Sequence, residues 1–139
     1  ITGVSFIGEG AASVGDSAAR QLTMALRTSR VLASPALAAP GGAPSFASLL
    51  AISHALPLVT TPIGARGLLA SRSPGAVSIV KTALEFATAV AQLLTNSTAW
   101  TIQRNTAATH AQRHLGERAV VSTLRQSVAS AASALHLGA

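Results

Sequence analysis

Pro57-Leu58-Val59-Thr60-Thr61-Pro62-Ile63-Gly64-Ala65-Arg66-Gly67-Leu68 decides how the rest of the chain is read. A proline opens a short apolar run, Leu58 and Val59 carry it, and Thr60-Thr61 close it before a Pro/Gly loop. A short apolar run bounded by turn residues predicts a buried parallel strand. The glycines after it let the backbone approach something closely. Upstream, Gly41-Gly42-Ala43-Pro44 opens the helical pattern Ser45–Ala55, on which Phe46, Leu49, Leu50 and Ser53 follow the three/four spacing. The segment reads as Gly-rich loop, helix, buried strand and second Gly loop. In open α/β sheets, ligands bind where such loops leave the carboxyl ends of strands.

The same alternation extends in both directions. Val4–Gly8 reads as a strand running into Gly8-Glu9-Gly10, a loop too short for a dinucleotide fingerprint. Asp16 or Ser17 caps a helix over 17–28, with Ala18, Leu22, Ala25 and Leu26 on its apolar face. Val31–Pro35 is a second strand, Pro57–Thr60 a third, and Leu68–Gly75 a loop. Val77–Val80 is a fourth, shorter strand. Thr82 caps a helix to Thr95 with the stripe Ala83, Phe86, Ala87, Val90, Leu93 and Leu94. Ser97 or Thr98 caps another to His114, and Gly116 breaks it. The last helix, 117–136, carries Val120, Val121, Leu124, Val128, Ala131 and Leu135. Strands alternating with helices predict an α/β fold: a parallel sheet of three to four strands, flanking helices and a helical C-terminal end. At 139 residues this is one domain, 1–139.

Hydrophobic residues make up 49% and charged residues only 10%, the opposite of a disordered chain. Aromatics are 3%, so Leu, Val, Ile and Ala must build the core, and a face covered by another domain or subunit suits so light a core. The net charge of +6 comes almost entirely from arginine, with Lys81 the one lysine. Arginine suits phosphate and carboxylate partners, and a codon bias toward Arg and Ala accounts for the same excess. With no cysteine, disulfides and thiolate metal sites are excluded. No apolar run approaches the roughly 20 residues that span a bilayer. Ile1-Thr2-Gly3 reads as the middle of a polypeptide, or as a processed or truncated start.

The order of these elements and the words in their loops resemble the C-terminal, donor-binding half of GT-B glycosyltransferases, and more narrowly the group-1 enzymes that use nucleotide sugars. The residues that carry the resemblance are Val4–Gly8 ahead of a helix start near Asp16, Val31-Leu-Ala-Ser-Pro35, and above all Gly41-Gly42 through Leu56–Leu68. Glu85-Phe86-Ala87 is similar to the family's helix start after the sheet, and His114-Leu115 falls at its turn before the last helix. The match runs nearly the length of the chain, and Leu56–Leu68 is its most specific part. It implies a Rossmann-like domain that binds a nucleoside diphosphate sugar as donor substrate. Gly41, Gly42, Ser45, Phe46 and Ala47 would face the diphosphate at a helix N-terminus, with Thr61, Gly64 and Arg66 in the second Gly loop. No metal and no cofactor is implied.

The chain also departs from the family. The glutamate that holds the ribose hydroxyls falls on Leu50, and a second near the donor sugar falls on Gly42. Basic residues early in this helix fall on Ser45 and Ala47. Losing one charged acceptor costs about 1.5–3 kcal/mol. Further β-α units and an N-terminal acceptor domain precede the family's equivalent of Val4, so a missing domain or other subunits are the expected partners. Two functions follow: the nucleotide-sugar-binding half of a glycosyltransferase, or a glycosyltransferase-derived, non-catalytic subunit of a larger complex. Whether the chain is an enzyme stays open at this point.

Other residues carry weaker signals. Arg66 and Arg72 are well placed to meet phosphate, or are ordinary loop arginines. His110 and His114 share a helix face four residues apart, with Glu117 the one candidate third ligand; two solvated helix residues is the plainer reading. Arg104, Arg113, Arg118 and Arg125 make the last helices basic, for an acidic protein surface or nucleic acid; the scarcity of stacking aromatics disfavours nucleic acid. Trp100 reads as a packing anchor, and Ser53, His54 and Glu85 form no triad by spacing.

Overall fold

A computed structural model describes residues 16–37, 46–68 and 70–137. In chain order the elements are α1 (Asp16–Thr28), β1 (Leu32–Ser34), α2 (Phe46–Ser53), β2 (Leu58–Thr60), a 3-10 turn (Ala70–Arg72), β3 (Val77–Ile79), α3 (Ala83–Thr95), α4 (Ser97–His110), a π-helical turn (Ala111–Leu115) and α5 (Glu117–Leu137). The fold is mixed α/β, with a three-stranded, open, parallel sheet in the order β1-β2-β3 and helices around it. Leu32, Ala33 and Ser34 align with Leu58, Val59 and Thr60, which align in turn with Val77, Ser78 and Ile79. The three expected strands that fall on described residues therefore form, each trimmed to three residues. The Val4–Gly8 strand lies outside the described residues.

β2 is central, and all three of its residues are buried, which is why its sequence is a continuous apolar run closed by a threonine. Ile52, Leu58, Leu68, Ala76 and Val77 form one core cluster, with Leu32, Leu49, Ala111 and Leu115 packed against it. A second cluster, Leu26, Ala51 and Leu56 with Leu22, Leu32 and Leu50, docks α1 onto α2. Each such side chain contributes about 1.5–3 kcal/mol on burial. Leu32 belongs to both groups and joins them.

The face that α2 buries differs from the expected one. Ser48, Ala51 and Ile52 are buried, while Phe46 is 54% exposed and Ser53 is exposed. Two small residues let the helix lie close to the sheet, and Leu49 and Leu50 fill its flanks. A purely apolar template misses this because a close approach selects for size before hydropathy. The helix ends on a Schellman motif: the Leu56 amide donates to Ala51 O (2.8 Å) and the Ala55 amide to Ile52 O (2.9 Å). Ala55 sits between them at φ 55°, left-handed backbone that normally belongs to glycine. Leu56 and Ala51 make the hydrophobic contact that accompanies the motif.

α3 starts at the expected cap. The Thr82 hydroxyl accepts from the Glu85 amide (3.2 Å), and the Glu85 carboxylate accepts from the amides of Lys81 (2.8 Å) and Thr82 (3.1 Å), closing a capping box. For α4 the cap is Asn96, whose side chain accepts from the Ala99 amide (3.0 Å), in place of the expected Ser97 or Thr98. The α-helix stops at His110, and the chain continues to Leu115 as a single wide turn before Gly116 breaks it. The 3-10 turn at Ala70–Arg72 falls inside the stretch expected to be loop. Among the described residues no helix is long and apolar enough to cross a membrane.

Two predictions follow from these termini. Replacing Ala55 by glycine relieves the left-handed backbone and should raise stability by about 0.5–1 kcal/mol; an unchanged or lower denaturation midpoint contradicts the Schellman geometry. The amides of Lys81 and then Thr82 hold the Glu85 carboxyl below its ordinary value of 4.5. Its contribution is therefore fully present above that ordinary value and disappears as pH falls through the lowered folded one. Thermal midpoints taken across the acid range should fall less steeply for Glu85→Gln than for the parent, and parallel curves would refute the cap.

Candidate functional site

In a parallel sheet all carboxyl ends lie on one edge. Ser34 ends β1 there and Thr60 ends β2 there. Because α2 connects the two strands, its first residues, Phe46 and Ala47, start from the same edge. The segment 61–68 leaves that edge directly after β2. The topology thus brings together Phe46, Ala47, Thr61, Gly64 and Arg66 of the residues expected to meet a donor. Gly41, Gly42 and Ser45 lie outside the described residues.

The segment is tied down at both ends. At its start, the buried Thr60 hydroxyl donates to Ser34 O (2.8 Å), and the Thr61 hydroxyl donates to Ala36 O while accepting from the Gly64 amide (3.2 Å). Three successive turns follow: Ala65 N to Thr61 O (2.9 Å), Arg66 N to Ile63 O (3.2 Å) and Leu68 N to Ala65 O (3.2 Å). Gly64 is required by space, since a Cβ there would overlap the Thr60 hydroxyl and stand 3.1 Å from the Ala36 Cβ. Gly67 is required by its φ of 77°. At the far end Leu68 is fully buried, and its carbonyl accepts a 2.8 Å hydrogen bond from His110 Nε2. Thr61 and Gly64 therefore serve the loop itself, and Arg66 stands exposed at its crest. Arg66 and the positive end of the α2 dipole are the features at this edge suited to an anion.

Leu50, at the position where the family resemblance calls for a ribose-binding glutamate, is half-buried against Leu26, Ala51 and Leu56. It helps attach α1. Ser53 donates to its own helix at Leu50 O (2.8 Å), and Glu85 is engaged as a cap.

His110 and His114 are not the two solvated residues that their spacing suggested. His110 is fully buried, donating through Nε2 to Leu68 O, and Nδ1 has no partner among the described residues. The His114 ring lies 4.9 Å from it, tilted by 49°. Desolvation first, then the positive neighbourhood of His110, Arg72 and Arg113, pushes the His114 pKa below its ordinary value. Among the described residues no three His, Cys, Asp or Glu side chains gather as a metal would need.

The buried Gln103 was not read from the sequence, and Trp100, read as a packing anchor, also makes a polar contact. Gln103 of α4 is buried; its amide donates to Leu58 O (3.0 Å), and its carbonyl accepts from the Ser78 hydroxyl (2.9 Å). Trp100 Nε1 donates to Arg30 O (2.7 Å), while the guanidinium carbons of Arg30 and Arg104 lie 4.9 and 5.2 Å from its ring centre. Arg30 in turn donates to Leu93 O (3.1 Å) near the C-terminus of α3, where a cation suits the helix dipole. A Gln-x-x-x-Ala-x-x-His pattern along a helix was the available signal: two polar residues at helical spacing on a single face.

Comparison with known protein families, with curated proteins and with solved structures finds no match to this chain.

Replacing Gly64 by alanine should destabilise the fold by about 1–3 kcal/mol, the usual cost of overpacking a filled site. Combining it with Thr60→Ala, which removes the obstructing hydroxyl, should cost less than the sum of the two single changes. Strict additivity in chemical denaturation would show that the two residues do not meet.

Proposed function

We propose that this chain is the nucleotide-sugar-binding half of a glycosyltransferase, a Rossmann-like domain that takes the diphosphate of a nucleoside diphosphate sugar at the carboxyl edge of its sheet. The observation that carries this reading is the loop 61–68, pinned by Thr60 and Thr61 at one end and by His110 at the other, with Arg66 exposed between the pins. A cation held on this loop, beside the edge where the positive end of the α2 dipole lies, matches the needs of a diphosphate. Charge that develops on the leaving diphosphate would be met by the Arg66 guanidinium and the positive end of the α2 dipole. The acceptor side of the cleft belongs to a second domain in this reading.

Leu50 favours a second reading. Its side chain packs on α1 and offers no acceptor to ribose hydroxyls, so binding rests on the diphosphate alone. A chain that retains the scaffold without that handle suits a glycosyltransferase-derived, non-catalytic subunit of a larger complex.

Titration calorimetry of the full chain with UDP, GDP and their sugars separates the two. Donor binding predicts measurable heat, and Arg66→Ala should weaken it about tenfold to a hundredfold, as expected for one charge-assisted hydrogen bond. A chain that unfolds cooperatively yet gives no heat at millimolar ligand rejects the donor-binding reading and leaves the interaction subunit.

A further inference from the structure

Residues 120–134 of α5 are all exposed. Most of α5 therefore stands clear of the described body. Such exposure is ordinary for a polar helix, but α5 is not polar all round. Val121, Leu124, Val128 and Ala131 recur at alternating intervals of three and four residues, the period of a two-helix seam. Leu124 is 59% exposed and Val128 68%, so the seam lies open across successive turns as a continuous apolar stripe.

The charges beside this seam say what covers it. Arg118 and Arg125 are seven residues apart and stand on the same flank. The opposite flank carries Val120 and Ser127. Glu117, the one carboxylate of α5, falls in line with the seam at its first position. Pairing α5 with a second copy of itself leaves both arginines unmatched. An antiparallel pair sets the arginine flank against itself, and a parallel pair sets it against Val120 and Ser127. Neither supplies an anion. The net charge of +6 repels a second copy further.

We propose that α5 is a docking helix for an acidic amphipathic helix of another protein subunit. The partner contributes apolar residues to the seam and carboxylates, spaced seven residues apart, to the flank that faces Arg118 and Arg125. Arginine's planar fork suits such partners, and the apolar seam separates this surface from a purely electrostatic nucleic-acid stripe. The inference stands apart from the nucleotide reading, because no residue of the 61–68 loop takes part.

The test uses the full chain and two synthetic helical peptides of about four heptads, with leucine along the seam and either glutamate or lysine on both flanks. Fluorescence anisotropy should show the glutamate peptide binding at least about tenfold more tightly than the lysine peptide. The double change Arg118→Glu with Arg125→Glu should reverse that order, and Leu124→Asp, at an exposed position, should abolish binding of both. Equal binding of the two peptides, or binding of neither, overturns the proposal. So does sedimentation of the free chain as a dimer that Leu124→Asp dissociates. Tighter binding of an RNA duplex that survives Leu124→Asp also overturns it. Calorimetric heats with UDP or GDP should be the same in all these variants, so this proposal and the donor-binding reading fail separately.

Discussion

The side-chain amide of Gln103 reaches from α4 to the carbonyl of Leu58, the first residue of β2, and its carbonyl end takes the hydroxyl of Ser78 on β3. Two turns further along the same helix, His110 closes on the carbonyl of Leu68. β2 is buried along its whole length, so polar groups around it must find partners inside the protein. One helix supplies two of them. A buried polar side chain left unmatched costs about 1–3 kcal/mol, so Gln103 and His110 hold these partners and fix the position of α4 more sharply than apolar contact alone. They also explain the composition of α4, which has no apolar stripe and buries Gln103, Ala107 and His110 instead. The loop that displays Arg66 is held by the second anchor, which makes the candidate site depend on a residue 42 positions later in the chain.

Elements whose stability comes from their own sequence were legible before any coordinates. The strand at Leu58–Thr60 is apolar because it is central, and α3 carries both its capping box and its stripe, with Leu93 buried and Phe86, Val90 and Leu94 half-buried. Elements that depend on distant partners were not. α2 turned Ser48, Ala51 and Ile52 inward, a face that apolar spacing does not mark because two of the three are small. The cap of α4 is Asn96, one residue before the expected Ser97, because the Asn96 side chain reaches the Ala99 amide from an extended backbone. The π-helical turn has no local signature in Ala111–Leu115 that distinguishes it from ordinary helix.

The candidate site divides along the same line. The glycines of the 61–68 segment announced a close backbone approach, and Gly64 makes one. What it approaches is the protein's own Thr60 and Ala36, a distinction that composition cannot draw. Arg66 was legible as a loop arginine, whereas its rigid mounting was not, because the mounting is made by Thr60, Thr61 and His110 together. Leu50 was legible as a position that offers no acceptor to a ribose hydroxyl. The packing of α1 against Leu50 supplies the physical reason the position is apolar here: a carboxylate in that cluster would have to be desolvated among leucines with no cation beside it.

The π-helical turn links this body to α5. Its residues Ala111 and Leu115 pack against the main core cluster, so the turn is anchored from within. At its start His110 is hydrogen-bonded to Leu68, and His114 lies against that ring, its pKa lowered first by desolvation and then by His110, Arg72 and Arg113. Gly116 then breaks the helix, with the Ala119 and Val120 amides donating to its carbonyl at 3.0 and 3.1 Å to start α5 afresh. Beyond that junction residues 120–134 are exposed, so the seam of α5 faces solvent rather than the body of the fold.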